Sequence, residues 1–395
     1  YDACAAYVPF YELQDTNAHS LSVACACQDT AIDLSARLRP YTQVRQLVFR
    51  CEARHFDQIP RMPAVTHLTS EVITPNILAF PNLEVYHNKT YLEQPVPNQI
   101  LFLPKLREVV LFNATRFSSL LGTKPLEVFK MSFQNTASHR IQLPPNLHTL
   151  KNLTALNIQD IDLALFSNFE HLQSLQSLRL SRVLWARIPQ TPGQWPRLKS
   201  LELSEVRLRG QIPDIFEHLD SLQRVYISET NVSARSFIHI CKAPNLKALT
   251  LSFCELETIP DEIGQLSNLH TLIITTEQHS IANTLTLPAS AANLTSLKSV
   301  FLSTNARQFP PALLKLSNTL ESIAIKDEIG SIPPEIGNFS RLKVLKLNNC
   351  GLSSLPPEIQ QLAGTLEELH LAGNQFDQPS RQQIARWLPG TAIFF

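Results

Sequence analysis

Apolar residues recur along this chain in one short phrase, apolar-x-x-apolar-x-apolar, about 23 residues apart. Well-formed copies run Leu153, Leu156, Ile158; Leu175, Leu178, Leu180; Leu198, Leu201, Leu203; Leu222, Val225, Ile227; and Leu246, Leu249, Leu251. Within the phrase, strand alternation predicts that the second and third apolar residues point inward and the residues around them outward. The first apolar residue packs the preceding turn. A period between 20 and 29 residues predicts a stacked solenoid in which each turn supplies one short strand. No turn can bury its apolar face alone, so the stack is the folding unit.

The first apolar residue of each phrase sets the register: Val44, Val65, Leu83, Leu106, Leu126, Leu153, Leu175, Leu198, Leu222, Leu246, Leu269, Leu297, Leu320, Leu342 and Leu366. From Leu153 the steps are 22, 23, 24, 24, 23, 28, 23, 22 and 24 residues. The long step before Leu297 predicts a loop insertion over Glu277 to Leu287. The N-terminal phrases are weaker. Ser70 stands where an apolar residue is expected, and around Leu83 two registers compete. One starts at Leu83 and buries Asn88; the other starts at Phe80 and buries Leu83 and Val85. An irregular, degenerate sheet is the expectation there.

Three segments make the resemblance to leucine-rich-repeat proteins specific. Thr258-Ile259-Pro260-Asp261-Glu262-Ile263-Gly264, Ser331-Ile332-Pro333-Pro334-Glu335-Ile336-Gly337 and Ser354-Leu355-Pro356-Pro357-Glu358-Ile359 resemble the "IPxxIGxLxxL" half of that family's repeat. Leu208-Arg209-Gly210-Gln211-Ile212-Pro213 resembles the "LxGxIP" variant of plant-type extracellular repeats. The resemblance implies an α/β solenoid, a right-handed leucine-rich-repeat arc with a concave parallel β-sheet and an irregular or short-helical convex side. It divides the chain into a cysteine-bearing N-terminal cap with the first strand (1–52), irregular repeats (53–152), regular repeats (153–376) and a C-terminal helix-strand cap (377–395). In that cap, Gln382 to Leu388 reads as a helix stopped by Pro389-Gly390, and Thr391 to Phe395 as a last strand.

The same resemblance extends to the cysteines. Cys4, Cys25, Cys27 and Cys51 resemble the disulfide-bonded N-terminal cap of extracellular members. A Cys25–Cys27 bridge is strained, so two connectivities stay open: Cys4–Cys27 with Cys25–Cys51, or Cys4–Cys25 with Cys27–Cys51. Cys254 and Cys350 stand three residues past Leu251 and Leu347, at the family's asparagine-or-cysteine position, where a small polar group meets backbone at the bend. Asn305 and Asn374 read as occupying that same position. Cys241 is expected as a lone buried thiol, with a bridge to Cys254 the alternative. Six Asn-x-Ser/Thr sequons occur, at Asn88, Asn113, Asn152, Asn231, Asn293 and Asn338. With the cysteines and a first residue, Tyr1, that suggests processing, they favour a secreted glycoprotein. Under the Leu83 register, Asn88 points inward and cannot carry a glycan.

Charge and motif content narrow the functions. Lys plus Arg and Asp plus Glu are 34 each, a formal net charge of zero. That argues against nucleic acid as a partner, since phosphate-binding proteins are normally basic. No apolar run approaches a membrane span. No catalytic or metal-binding motif stands out, so no enzyme, metal or cofactor is expected. His67, His87 and His370 fall at outward strand positions too far apart in the stack to form one site.

The outward strand positions are the candidate site. Arg179, Glu202, Tyr226, Thr250, Ile273 and Phe301 lie between inward residues of successive phrases. Ser181, Ser204, Ser228, Ser252, Thr275 and Ser303 follow the last inward residue and read as a hydroxyl ladder. Tyr226, Ile273 and Phe301 would be exposed anchors in a hydroxyl-lined trough. The expectation is a non-enzymatic extracellular recognition module that binds a protein or glycan on its concave face. One alternative is a matrix glycoprotein that self-associates or packs with other glycoproteins. Another is an intracellular leucine-rich-repeat scaffold.

Overall fold

The computed structural model describes residues 19–24, 34–50, 59–71, 76–89, 98–112, 126–132, 150–160, 172–186, 194–208, 212, 214–254, 256–276 and 284–395. The chain divides into two compact units, Tyr1–Ala186 and Arg187–Phe395. Cys4, Cys25, Cys27, Cys51 and Asn113 lie outside the described residues.

The first unit is a parallel stack of β1 (Ser20–Ala24), β2 (Gln46–Arg50), β3 (His67–Ser70), β4 (Val85–Asn88), β5 (Glu108–Phe112), β6 (Val128–Ser132), β7 (Ala155–Gln159) and β8 (Ser177–Ser181). From β1 to β8 each strand pairs in parallel with the next. Tyr86 and Asn88 are fully buried while Val85 is only half-buried, which selects the Leu83 register. Among the described residues these strands keep a regular parallel register. Ser70 and Asn88 sit opposite each other in the ladder, both fully buried at inward positions. Ladder hydrogen bonds use backbone groups, so a small polar side chain can take an inward place without breaking the pairing.

The second unit repeats the arrangement with β9 (Ser200–Ser204), β10 (Arg224–Ser228), β11 (Ala248–Ser252), β12 (Thr271–Thr275), β13 (Ser299–Ser303), β14 (Ser322–Ile325), β15 (Val344–Lys346), β16 (Glu368–His370) and β17 (Ala392–Phe394). Each again pairs in parallel with its successor. On β11, Leu249 and Leu251 are fully buried and the residues flanking them are not, as alternation requires.

In several described turns polar side chains tie the ends of a strand to neighbouring backbone. Before the strands, Ser221 Oγ donates to Pro196 O (3.0 Å), Asn245 Nδ2 to Asp220 O (2.9 Å) and Asn268 Nδ2 to Pro244 O (2.9 Å). Each bond ties one turn to the equivalent carbonyl of the turn before it. After the strands the backbone turns through a left-handed residue: Asp160 and Arg182 in the first unit, Glu205, Glu229, Phe253 and Asn349 in the second. The N–H groups of Asp160, Glu205, Glu229, Phe253 and Asn349 reach forward, as from Glu229 to Ser252 O (2.9 Å) and from Phe253 to Thr275 O (2.8 Å). The next residue points in. Cys254 Sγ donates to Ile227 O and Ser252 O (both 3.3 Å), and Cys350 Sγ to Ile325 O (3.2 Å). Asn374 Nδ2 donates to Leu347 O (2.7 Å) and Leu371 O (2.8 Å).

Asn305 departs from this expectation. It is itself the left-handed residue, with φ 58°. The turn after β13 is therefore one residue longer, with Thr304 buried before the bend and Ala306 buried after it. The buried Asp327 of the next turn accepts from Thr304 N (2.7 Å), Asn305 N (2.9 Å) and Thr304 Oγ1 (3.0 Å).

Away from the strands the repeats form short helical turns. Proline supplies the extended residue ahead of the 3₁₀ segments Asp261–Gln265, Pro334–Asn338 and Pro357–Leu362, whose Ile263, Ile336 and Ile359 are fully buried. Successive segments stack so closely that a Cβ on Gly264 would lie 2.4 Å from Ser290 O, and one on Gly337 2.6 Å from Glu358 O. The glycine of the "IPxxIG" phrase is thus a requirement of close approach. One turn instead carries helix α1 (Ala234–Cys241), capped by Ser233 Oγ accepting from Ser236 N (3.2 Å), with Phe237, Ile240 and Cys241 buried. Helix α2 (Gln378–Trp387) starts earlier than the sequence suggested, because Asp377 caps it by accepting from Ser380 N (2.9 Å).

Candidate functional site

Parallel register turns the outward residues of the second unit into continuous rows. One row runs Glu202, Tyr226, Thr250, Ile273, Phe301, Ala324, Lys346, His370 and Phe394, each directly opposite the next. Neighbouring strands lie about 4.8 Å apart, so Tyr226, Thr250, Ile273 and Phe301 form one contiguous strip. Tyr226 is 40% exposed, and Thr250, Ile273 and Phe301 are half-buried. The strip is rigid because every residue in it sits on a laddered strand with inward neighbours locked in the core.

The hydroxyl row is less open than expected. Ser204, Ser228, Ser252, Thr275 and Ser303 do align. Ser228, Thr275 and Ser303 are nevertheless buried, while Ser204 and Ser252 are half-buried. The row lies at the strand ends, where each turn folds back toward the interior, so little of it faces solvent. Among the described residues, the buried Thr275 Oγ1 has no hydrogen-bond partner. Arg179 and Ser181 stand on β8 of the first unit, opposite Asn157 and Gln159.

Sequence reasoning missed the bend itself. Phe253, at the left-handed position after β11, is 42% exposed. The available signal was an aromatic residue two places past an inward leucine. It also missed the aromatic group at the last turns. His370 stacks on Phe394 with centroids 4.5 Å apart, and its Nε2 lies 2.9 Å from Glu368 Oε2. That contact holds the Glu368 carboxyl below the ordinary range. Arg381 lies over the Phe395 ring at 5.1 Å, and Phe376 meets Phe395 edge-on.

The described thiols are free. Burial pushes Cys254 up to about 11 and Cys350 up to about 12, and raises Cys241 further still. Such thiols are poor nucleophiles at neutral pH, since the thiolate is the reactive form. Among the described residues no group of three or more His, Cys, Asp or Glu side chains gathers as a metal would need. No described helix is long and apolar enough to cross a membrane. What the strand face offers is a fixed apolar strip with charges on both sides.

The family model described as Leucine Rich Repeat matches residues 245–266 and 341–362, and the chain carries leucine-rich repeats. The Arabidopsis thaliana protein SUPPRESSOR OF npr1-1, CONSTITUTIVE 1 is 29% identical over 197 residues, 49% of this chain and 13% of that protein. The chain thus spans only a small part of that curated relative. Among solved structures, a leucine-rich-repeat protein of Leptospira interrogans superposes with a TM-score of 0.74 at 24% identity, covering 91% of this chain and 92% of that one. A chain of the Drosophila Toll–Spatzle complex gives 0.60 at 21% identity, covering 86% of this chain and 48% of that one. These likenesses are of fold.

Proposed function

We propose that this chain is a non-catalytic recognition module that captures a polypeptide partner on the strand face of its second unit. The strip Tyr226, Thr250, Ile273 and Phe301 carries this reading, because it places apolar anchors side by side on a preorganised surface. Exposed aromatics with half-buried neighbours are the residues that dominate binding energy in protein interfaces. Rigid strands reduce the ordering cost of association. The Toll–Spatzle neighbour, named as a complex, and the plant peptide hormone receptor RGFR1 in complex with RGF2, which superposes with a TM-score of 0.51, support a partner-binding use of this fold.

The proposed setting is extracellular. Asn152, Asn231, Asn293 and Asn338 are exposed sequon asparagines and are the proposed glycan acceptors. Expression through a eukaryotic secretory pathway, followed by glycopeptide mapping, should find glycan at these positions and none at Asn88. Glycan at Asn88, or at none of the four, would defeat that assignment.

Binding is tested by selecting displayed random peptides on the immobilised chain, with Tyr226→Ser/Phe301→Ser as the control surface. Enrichment on the wild type that is lost on the double variant, with unchanged melting, is the expected result. No enrichment, or equal enrichment on both, refutes the site.

A further inference from the structure

Along one edge of the apolar strip runs a column of a single charge sign. Lys199, Gln223, Lys247, His270 and Lys298 each precede one of the five strands β9 to β13. Backbone bonds place them side by side: Gln223 N donates to Lys199 O (2.9 Å), Lys247 N to Gln223 O (2.8 Å), His270 N to Lys247 O (2.8 Å) and Lys298 N to His270 O (2.9 Å). Arg224 joins the same edge, exposed, on the strand face two residues before Tyr226 and opposite Ser200 and Ala248. The other ends of these strands carry the exposed bend residues Glu205 and Glu229. The face therefore has a basic edge along the apolar strip, with acidic bend residues opposite it on the first two strands.

The later turns show what self-compensated columns look like. There the same column reads Lys298, Glu321, Lys343, Glu367, and its members pair: Lys298 with Glu321 at 3.4 Å, Lys343 with Glu367 at 3.5 Å. Beside Tyr226 to Phe301 this alternation is missing. Among the described residues no ion pair involves Lys199, Arg224 or Lys247, all of them exposed. Like charges at strand spacing repel one another, a modest cost at a solvated edge that an anionic partner would remove.

We infer that the occupant of this face is an acidic, extended polypeptide segment lying across the strands, with apolar side chains on Tyr226, Ile273 and Phe301 and carboxylates toward Lys199, Arg224 and Lys247. The inference rests on the proposed binding role of the strip and adds the chemistry of its partner. Four strand spacings of about 4.8 Å span roughly 19 Å, the reach of about six residues of extended chain. Apolar side chains of such a segment pack on the floor, and its carboxylates meet the long basic side chains at the edge. Ile273, an aliphatic residue in mid-strip, favours a polypeptide over an anionic glycan.

The peptide selection described above supplies the test, with Lys199→Glu/Arg224→Glu/Lys247→Glu as a second variant whose melting must match the wild type. Peptides enriched on the wild type should be rich in Asp and Glu interleaved with aromatic or aliphatic residues. Fluorescence anisotropy of a selected peptide should show about tenfold or greater weakening by the charge-reversed variant in dilute salt, with the gap closing as salt rises. Neutral or basic peptides that still need Tyr226 and Phe301, or equal affinity for the charge-reversed variant, would overturn the inference and leave the site standing. Failure of any peptide to depend on Tyr226 and Phe301 would remove both. Heparin retained through Lys199, Arg224 and Lys247, with no peptide enriched, would overturn it in favour of an anionic glycan.

Discussion

Replacing Asp327 by alanine should destabilise the second unit, whereas replacing it by asparagine should not. Asp327 is buried and accepts two backbone N–H groups and one hydroxyl from the turn before it. Alanine leaves Thr304 N and Asn305 N without that acceptor. A buried donor stranded in this way costs about 1–3 kcal/mol. Release of the buried carboxylate offsets part of the loss, so a net of about 3 kcal/mol is expected. For a unit the size of Arg187–Phe395 that is a fall in Tm of roughly 6–12 °C. Asparagine keeps an oxygen for both backbone donors, and its amide can donate to the Thr304 hydroxyl, so it should stay within about 1 kcal/mol. Desolvation raises the Asp327 pKa, and the hydrogen bonds only partly oppose it. The folded state therefore holds this proton more tightly than the unfolded state does. Its stabilisation is complete below the ordinary aspartate value and is lost as pH rises through the raised one. The asparagine variant, having no such proton, should gain on the wild type across that window. Thermal unfolding by circular dichroism, repeated from mildly acidic to neutral pH, measures both effects. Alanine and asparagine variants melting within about 2 °C of each other would refute the reasoning.

Other expectations follow from single contacts. Gly264→Ala should lower the melting temperature, since its Cβ meets the Ser290 carbonyl, while Gly364→Ala, with nothing within 4 Å of its Cβ, should not; equal melts would remove the close-approach argument. Thr275→Val should raise stability by up to about 1 kcal/mol, because it deletes a buried hydroxyl with no partner among the described residues; a loss measured in the same melts would mean that the hydroxyl is engaged. The raised thiol pKa values predict that Cys241, Cys254 and Cys350 resist iodoacetamide in the native protein at mildly alkaline pH and react once denatured. Alkylation mapped by mass spectrometry checks this, and rapid native labelling of Cys254 would contradict it.

The strands and their inward residues were legible because burial imposes a two-residue alternation inside a repeating phrase. Leu249 and Leu251 are typical. The inward roles of Cys254, Cys350 and Asn374 were equally legible, since each needs a short polar side chain at a fixed distance from the strand. Asn305 shows where that reasoning stops. It has the right residue type at the right spacing, yet the extra residue in its turn makes it the left-handed residue, and side-chain type does not report backbone conformation. Ser70 and Asn88 obscured the N-terminal register because a hydrogen-bonded ladder tolerates polar residues that an apolar pattern does not forecast. The face was legible as a set of outward positions. Its exposure was not: Ser228, Thr275 and Ser303 read as a solvent ladder, but the bend that follows covers them.

The left-handed bends are filled by aspartate, arginine, glutamate, phenylalanine, asparagine and glycine in different turns. A conformation that tolerates six such different residues makes little demand on side-chain identity, because much of its cost is met by main-chain bonds to the following turn. The margin of the sheet is therefore a place where chemistry can be rewritten while the scaffold stays as it is. Grafting new side chains at Glu205, Glu229 and Phe253 should retune what the surface recognises without refolding the molecule.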